Sequence, residues 1–315
     1  MSNASDRFAR LIEATRGGDP IATAVAHPCS PAAVAAAAEA AAEGLIDPIL
    51  VGPPDRISAA AEAAGVDISS FRIEAASHSH DAAAHAVALV RSGAVGLLMK
   101  GSLHTDELLG AVIARDTGLR TERRISHAYL MNVPGHPSPL IITDAAINIE
   151  PDLLIKSDIV RNAIDLAHVI GIKAPKVAIL AAVETVNPAM RSTLDAAALC
   201  KMADRGQIEG GLLDGPLAFD NAINEAAARD KGIVSPVAGR AEILVVPNIE
   251  AGNMLAKQLT FLGNADAAGV VLGARVPIIL TSRADSSRTR LASCALAVLL
   301  ARAATKAAPG LPTRP

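Results

Sequence analysis

Short aliphatic runs alternate with stretches in which apolar residues recur at helical spacing, and the alternation continues along nearly the whole chain. It predicts a helix from Ser5 or Asp6 to about Arg16, a strand at 21–25 ending at His27 and Pro28, an Ala-rich helix from Pro31 to about Glu43, and a buried strand at 49–51. Gly52, Pro53 and Pro54 close that strand and open another helix, because proline suits a first helical turn that does not need its N–H. A short strand within 66–74, a helix from Ser79, a strand at 95–99 and a helix from about Thr105 continue the pattern. Strands at 126–133 and 140–143 then flank the turn PGHPSP as a hairpin-like excursion.

From about Lys156 the same alternation resumes. SDIVRNAIDLAHVIGI reads as helix, PKVAIL as strand, TLDAAALCKMADRG as helix, IEGGLLDGP as strand and FDNAINEAAARDKG as one helix. EILVVP, EAGNMLAKQLTFLG and GVVLG follow as strand, helix and strand. A last strand at 278–280 leads into a helix whose apolar residues from Leu291 are Ala295, Leu296, Leu299 and Leu300. Strand alternating with helix argues for an α/β fold with largely parallel sheets flanked by helices. A chain of 315 residues is long for one domain, and the texture changes near residue 145, so two domains are expected to meet there.

Composition narrows the function classes. Apolar residues make up 51% of the chain but aromatics only 2%, so packing relies on small side chains, and a stacked aromatic cage is not expected. A net charge of −3 leaves no basic surplus for a nucleic-acid backbone. Any phosphate bound should belong to a small molecule. Cys29, Cys200 and Cys294 have neither metal-ligand nor redox-motif spacing and read as buried thiols. His78, His80 and His85 do not share one helical face, so no metal site is expected. The absence of a long apolar run predicts a soluble, cytoplasmic protein with no membrane contact.

Ligands of open α/β sheets bind beyond the carboxyl ends of the strands. Two such turns stand out. In KGSLHT, Lys100 supplies a point charge, Gly101 permits close backbone approach, and His104 stands before a helix start that offers N–H donors. In TSRADSSRTR, Ser282, Arg283 and Asp285 join a strand to a helix, and a forked guanidinium suits phosphate, although a solvated helix cap fits the same residues. The same rule adds Asp144, Asp214, Asp220 and Asn221 as candidates, and Asn148 joins Asp144 as a binding candidate, with a turn held by the Asp144 side chain as the alternative there. No GxGxxG follows a predicted strand, which weakens a dinucleotide reading.

KGSLHTDELL, TERRISHAYLMNVP, LIITDAAINIEPDL, PKVAILAAVETVNP, DGPLAFDNAI, VAGRAEILVVPNIEAGNMLAKQL, ARVPIILTSRADS and RLASCALA together resemble the phosphate acetyltransferase and phosphate butyryltransferase family across nearly the whole chain. The resemblance implies two α/β domains of isocitrate/isopropylmalate dehydrogenase type with an active-site cleft between them. It places the first at 1–145 plus 291–315, the last helix returning to it, and the second at 146–290. It also implies a homodimer that exchanges a short acyl group between CoA and orthophosphate, with acyl-CoA, CoA, orthophosphate and acyl phosphate as its small-molecule partners. CoA is then a substrate, and no cofactor is expected.

Ser282 and Arg283 match the family's Ser-Arg pair and would hold the phosphoryl group and offset charge on the acyl oxygen. The family's catalytic Asp several residues further on falls here near Arg288 and Thr289, so its role as base is carried to Asp285. Where acetyl-type members often place a Cys after the matching Asp, this chain has Ala145, which excludes a covalent cysteine intermediate there. Alternatives on the same fold are an acyl-phosphate synthase, a metal- and NAD-dependent dehydrogenase, and a phosphate or acyl-CoA sensor without turnover.

Overall fold

The protein is described by a computed structural model covering residues 7–280 and 285–307. Ser282 and Arg283 lie outside the described residues. In chain order the elements are α1 (Arg7–Glu13), β1 (Ile21–Ala26), α2 (Pro31–Ala42), β2 (Ile46–Gly52), α3 (Pro54–Ala64), β3 (Arg72–Ala75), α4 (Ser79–Arg91), β4 (Leu97–Lys100) and α5 (Thr105–Ile113). There follow β5 (Ser126–Asn132), β6 (Leu140–Thr143), α6 (Leu153–Val169), β7 (Lys176–Leu180), α7 (Arg191–Asp204), β8 (Leu212–Leu217), α8 (Phe219–Ile223) and α9 (Glu225–Asp230). The last are β9 (Ile243–Val245), α10 (Ile249–Phe261), β10 (Asp266–Leu272), β11 (Ile278–Ile279) and α11 (Ser287–Ala307).

Two compact units account for the chain, one from 8–121 with 274–315 and the other from 122–273 with the segment through Arg7. These limits differ from the sequence boundaries at 145 and 290. The reason is strand pairing: β5 pairs with β10 and β6 pairs with β9, so the excursion at 126–143 satisfies its backbone within the second unit. Within the first unit the strand order is β3-β2-β1-β4-β11, all parallel. Within the second it is β10-β5-β6-β9-β7-β8, where only β5 runs antiparallel to its neighbours.

Parallel strands covered on both faces should be apolar throughout, and they are. Ala24, Val25 and Ala26 of β1 and Leu97 and Leu98 of β4 have no exposed surface. Alanine on α2 and α3 lets the helices approach closely: Val34 packs with Ala60 and Ala61, and Val66 and Ile68 close the cluster. Ala292, Ala295, Leu296 and Val298 of α11 are fully buried, and the start of that helix is tied to α2, where Glu39 accepts from Ser287 Oγ at 2.8 Å and pairs with Arg290 at 3.1 Å. In the second unit a core built on Ile142, Ala178, Leu217 and Leu244 underlies the sheet, and a buried Lys156–Asp195 pair at 2.8 Å ties α6 to α7.

One predicted helix is broken. FDNAINEAAARDKG forms α8 and α9, because Asn224 adopts an extended backbone and its side chain accepts from Ala226 N and Ala227 N. Apolar periodicity runs through this cap and hides it.

His127 of β5 is 1% exposed, stands edge-on to Tyr129 with ring centroids 4.3 Å apart, and has its pKa lowered to about 4 by burial. An unfolded His127 takes up a proton below about pH 6.5, whereas the folded one resists until about pH 4. Its contribution is therefore intact above pH 6.5 and is lost as the pH falls toward 4, by up to about 3 kcal/mol. Urea unfolding across this range should show that slope in the parent protein and a flatter one in His127→Phe.

Candidate active site

In the first unit β1 and β4 are neighbours whose connections part: α2 carries the chain from β1 outward to β2, while β11 lies on the far side of β4. Such a switch point opens a crevice at the carboxyl ends of the strands. The turn after β4 fills one wall of it. Gly101 N donates to Ala26 O at 2.9 Å, and a Cβ on residue 101 would lie 2.4 Å from that oxygen and 2.6 Å from His27 O, so only glycine fits. Lys100 is half-buried at the end of β4, with Nζ 3.4 Å from Gly101 O.

His27, at the end of β1, has a positive φ of 52° and is 6% exposed. Ser102 Oγ donates to His27 O at 2.8 Å, accepts from Cys29 N at 3.1 Å and lies 3.4 Å from His27 Nδ1. His27 Nε2 is buried without a partner among the described residues. The residue His27 borders a cavity of about 510 Å³ together with Ser30, Ala32, Arg56 and Ser102. Burial lowers the His27 pKa, Arg56 and His78 push the same way, and Glu107 opposes them. The Cys29 thiol is raised by burial, and burial pushes Cys200 and Cys294 up to about 12, so the three remain protonated.

His104 is exposed and opens α5, where its N–H donates to Glu107 at 2.8 Å. Ser79 also donates to Glu107, and together these bonds hold its pKa low. His104 thus has a local helix-start task beside the β4 turn. Asp285 is half-buried before α11, and its carbonyl accepts from Arg290 at 2.8 Å. Ser286 Oγ caps the helix by accepting from Thr289 N at 3.2 Å.

The second unit gathers two more of the candidates. Asp144, 2% exposed after β6, accepts from Ala146 N and Ile147 N through Oδ1 and from Asn148 N and Nδ2 through Oδ2, at 2.6–3.1 Å. Burial raises its pKa against these donors, which favour the charged form. Asn148 Nδ2 also donates to Ile125 O, and its Oδ1 accepts from Arg124 Nε at 2.9 Å. The backbone of Arg124 is held as well, its N–H by Asp158 and its carbonyl by Asn162. Asp144 and Asn148 therefore have their polar atoms engaged, and Asn148 holds the exposed Arg124 at its Nε. Asp220 and Asn221 are on α8, after β8, with β9 and β7 between that strand and β6. Asp220 is exposed. Asn221 is 1% exposed with both amide atoms unpartnered among the described residues.

The profile of the family described as "Phosphate acetyl/butaryl transferase" matches residues 73–298, more than half of the chain. The chain belongs to the phosphate acetyl/butyryl transferase family. A phosphate acetyltransferase of Rhizobium meliloti is 64% identical over 295 residues, covering 94% of this chain and 93% of that one. A phosphate butyryltransferase of Clostridium acetobutylicum is 45% identical over 263 residues, covering 84% and 87% respectively. Among solved structures, a branched-chain phosphotransacylase from Enterococcus faecalis V583 superposes with a TM-score of 0.78 at 30% identity, over 89% of this chain and 99% of that one.

The sequence singles out the Lys100–Gly101 turn as a candidate, and does not single out His27, Arg56 or Arg124. Only HPC after a predicted strand signalled His27, and nothing local marked Arg56, because the β1–β2 pairing brings the two turns side by side. Arg124 sits in an unremarkable TERR run and is singled out by what holds it.

Proposed function

We propose that the chain is a phosphate acyltransferase that exchanges a short acyl group, acetyl or butyryl, between CoA and orthophosphate. The observation that carries this reading is the family match across 73–298 with relatives of both acetyl and butyryl type. In the forward direction an orthophosphate oxygen attacks the thioester carbonyl, the C–S bond breaks, and CoA leaves as a thiol after taking up a proton. Ser282 and Arg283 are assigned to the phosphoryl group and to the charge that develops on the acyl oxygen. Asp285, the carboxylate closest in sequence to that pair, is assigned to move the thiol proton, which it would accept in the reverse direction.

The β4 turn supports anion binding through Lys100, and in the other unit Arg124 is a cation held at Nε by Asn148. Asp144 and Asn148 enter the reading as the groups that position Arg124 rather than as direct ligands. Asp220 and Asn221 are kept as binding candidates, Asn221 on the strength of its unpartnered buried amide. The resemblance also carries the two-domain dehydrogenase-type fold, the homodimer and the cytoplasmic setting. Among the described residues, no helix is long and apolar enough to cross a membrane.

Free thiol released from acetyl-, propionyl- and butyryl-CoA, with orthophosphate present or omitted, tests the reading. Release that depends on orthophosphate and needs no NAD is the expected result. Release indifferent to orthophosphate would contradict it.

A further inference from the structure

We propose that Arg124 is a binding residue for a phosphate group of the substrates, received by its two terminal nitrogens, and that Asn148 is the residue that positions it. The chemical identity of the ligand rests on the acyl-transfer reading. That the guanidinium receives an anion rests on the geometry within residues 122–273.

Arg124 stands where a ligand of such a sheet is expected. It precedes β5, which runs antiparallel to both neighbours, so the start of β5 lies beside the ends of β6 and β10: Ser126 pairs with Leu272 and Ala128 with Thr143. β9 runs parallel to β6 with Val245 beside Thr143, and its end is therefore on the same side. Ligands of α/β sheets bind beyond the carboxyl ends of the parallel strands.

The rest of Arg124 is held in place. Its N–H donates to Asp158 Oδ2 at 2.9 Å, and its carbonyl accepts from Asn162 Nδ2 at 2.9 Å. Gly273, with a φ of 82°, passes so close that a Cβ there would lie 2.5 Å from the Arg124 oxygen. Nε donates to Asn148 Oδ1 at 2.9 Å. Asn148 is 4% exposed, and its Nδ2 donates to Asp144 Oδ2 at 2.6 Å and to Ile125 O at 2.9 Å. Because a backbone carbonyl can only accept, the amide nitrogen is fixed on that side and the amide oxygen on the side of Arg124. A solvated surface arginine needs no such holder. A receptor gains from one, since a long side chain ordered beforehand loses less freedom when the ligand arrives.

Nothing in the protein neutralises the charge. Arg124 is exposed, and among the described residues its two terminal nitrogens have no hydrogen-bond or ion-pair partner. The neighbouring carboxylates are engaged by other groups: Asp144 by the N–H groups of residues 146–148, Asp158 by Arg161 and the backbone of Arg124, and Asp165 by Arg123. A guanidinium whose Nε is taken still offers a pair of N–H donors that suits two oxygens of one anion. In the proposed reaction the short acyl group is uncharged, and the anionic groups belong to orthophosphate, acyl phosphate and CoA. All of them are phosphates.

Steady-state rates and calorimetric titrations of the full chain test the assignment in the parent, Arg124→Gln and Arg124→Lys. Arg124→Gln should weaken one phosphate ligand by about 10–100-fold, the scale of one lost charge-assisted contact, with the loss in KM rather than in kcat. The ligand that weakens identifies the source: orthophosphate if the fork holds the ion that is acylated, CoA if it holds a phosphate of CoA. A loss for CoA that dephospho-CoA does not share places the contact at the phosphate on the ribose. Arg124→Lys keeps the charge without the fork and should recover part of the affinity. Both variants alter an exposed side chain and should unfold thermally close to the parent. Asn148→Ala should raise the same KM by a smaller factor and add nothing in Arg124→Gln, because its effect passes through the arginine.

Unchanged binding of both orthophosphate and CoA in Arg124→Gln overturns the proposal. So does an equal weakening of the two, a fall in kcat alone, or a lowered unfolding temperature with binding intact, which would make Arg124 a structural tie. Equal losses from Asn148→Ala in the two backgrounds would remove Asn148 as the positioning residue. Titration needs no turnover, so the two readings fail separately. Binding that depends on Arg124 in a protein that releases no thiol keeps the anion site and removes the acyl-transfer reading, while thiol release with KM values indifferent to Arg124 does the reverse.

Discussion

Arg283→Ala is expected to lower turnover by about 10²–10³, the scale for losing one donor to an oxyanion that forms in the transition state. The expectation comes from the matched Ser-Arg pair, which precedes α11 in the chain. Its signature separates catalysis from binding. If Arg283 stabilises the tetrahedral intermediate, kcat falls while the KM for orthophosphate changes little. If it only captures orthophosphate, KM rises and kcat recovers at saturation. Steady-state rates over a range of orthophosphate concentrations decide between these outcomes, and unchanged kcat and KM would remove Arg283 from the site.

A second large effect is expected at Asp144, on stability. Asp144→Ala takes away the acceptor of four N–H bonds in a loop whose centre is buried, and leaves backbone donors of residues 146–148 unsatisfied. Such losses add to about 3–5 kcal/mol. Asp144→Asn keeps one acceptor oxygen and should lose less. Urea unfolding of the two variants checks the order Ala below Asn below parent. An equal and small loss in both would show that the loop is held by other contacts. Because Asn148 depends on Asp144 and in turn holds Arg124 Nε, Asp144→Ala should also weaken whatever anion the Arg124 fork receives.

How far the sequence carried the fold is clear from particular residues. Pro54 at a helix start and Gly65 with a left-handed backbone at its end punctuate α3 as local rules require, and the apolar runs of β1, β2, β4 and β7 are buried as read. Local signals failed where a side chain acts on its neighbours' backbone, as Asn224 does in parting α8 from α9. They failed again where long-range pairing decides membership, since nothing in 126–143 announces that β9 and β10, a hundred residues on, will pair with it.

The site divides in the same way. Lys100 and Gly101 stand out as candidates because one turn holds the charge, the glycine and the helix start. His27 and Arg56 do not, because each is an ordinary residue in its own turn and they face one cavity only through the register of β1 with β2. Asp144 was legible as a polar residue closing a buried strand, but its choice between ligand and scaffold required the hydrogen bonds of Ala146, Ile147 and Asn148.

In the proposed reaction the acyl group passes to orthophosphate and not to water. Phosphorus NMR of the protein with butyryl-CoA and orthophosphate observes this directly. A new acyl phosphate resonance is expected, growing in step with free thiol and disappearing when CoA is added back in excess. Thiol appearing while orthophosphate remains the sole phosphate signal besides those of CoA would mean thioester hydrolysis, and would contradict it.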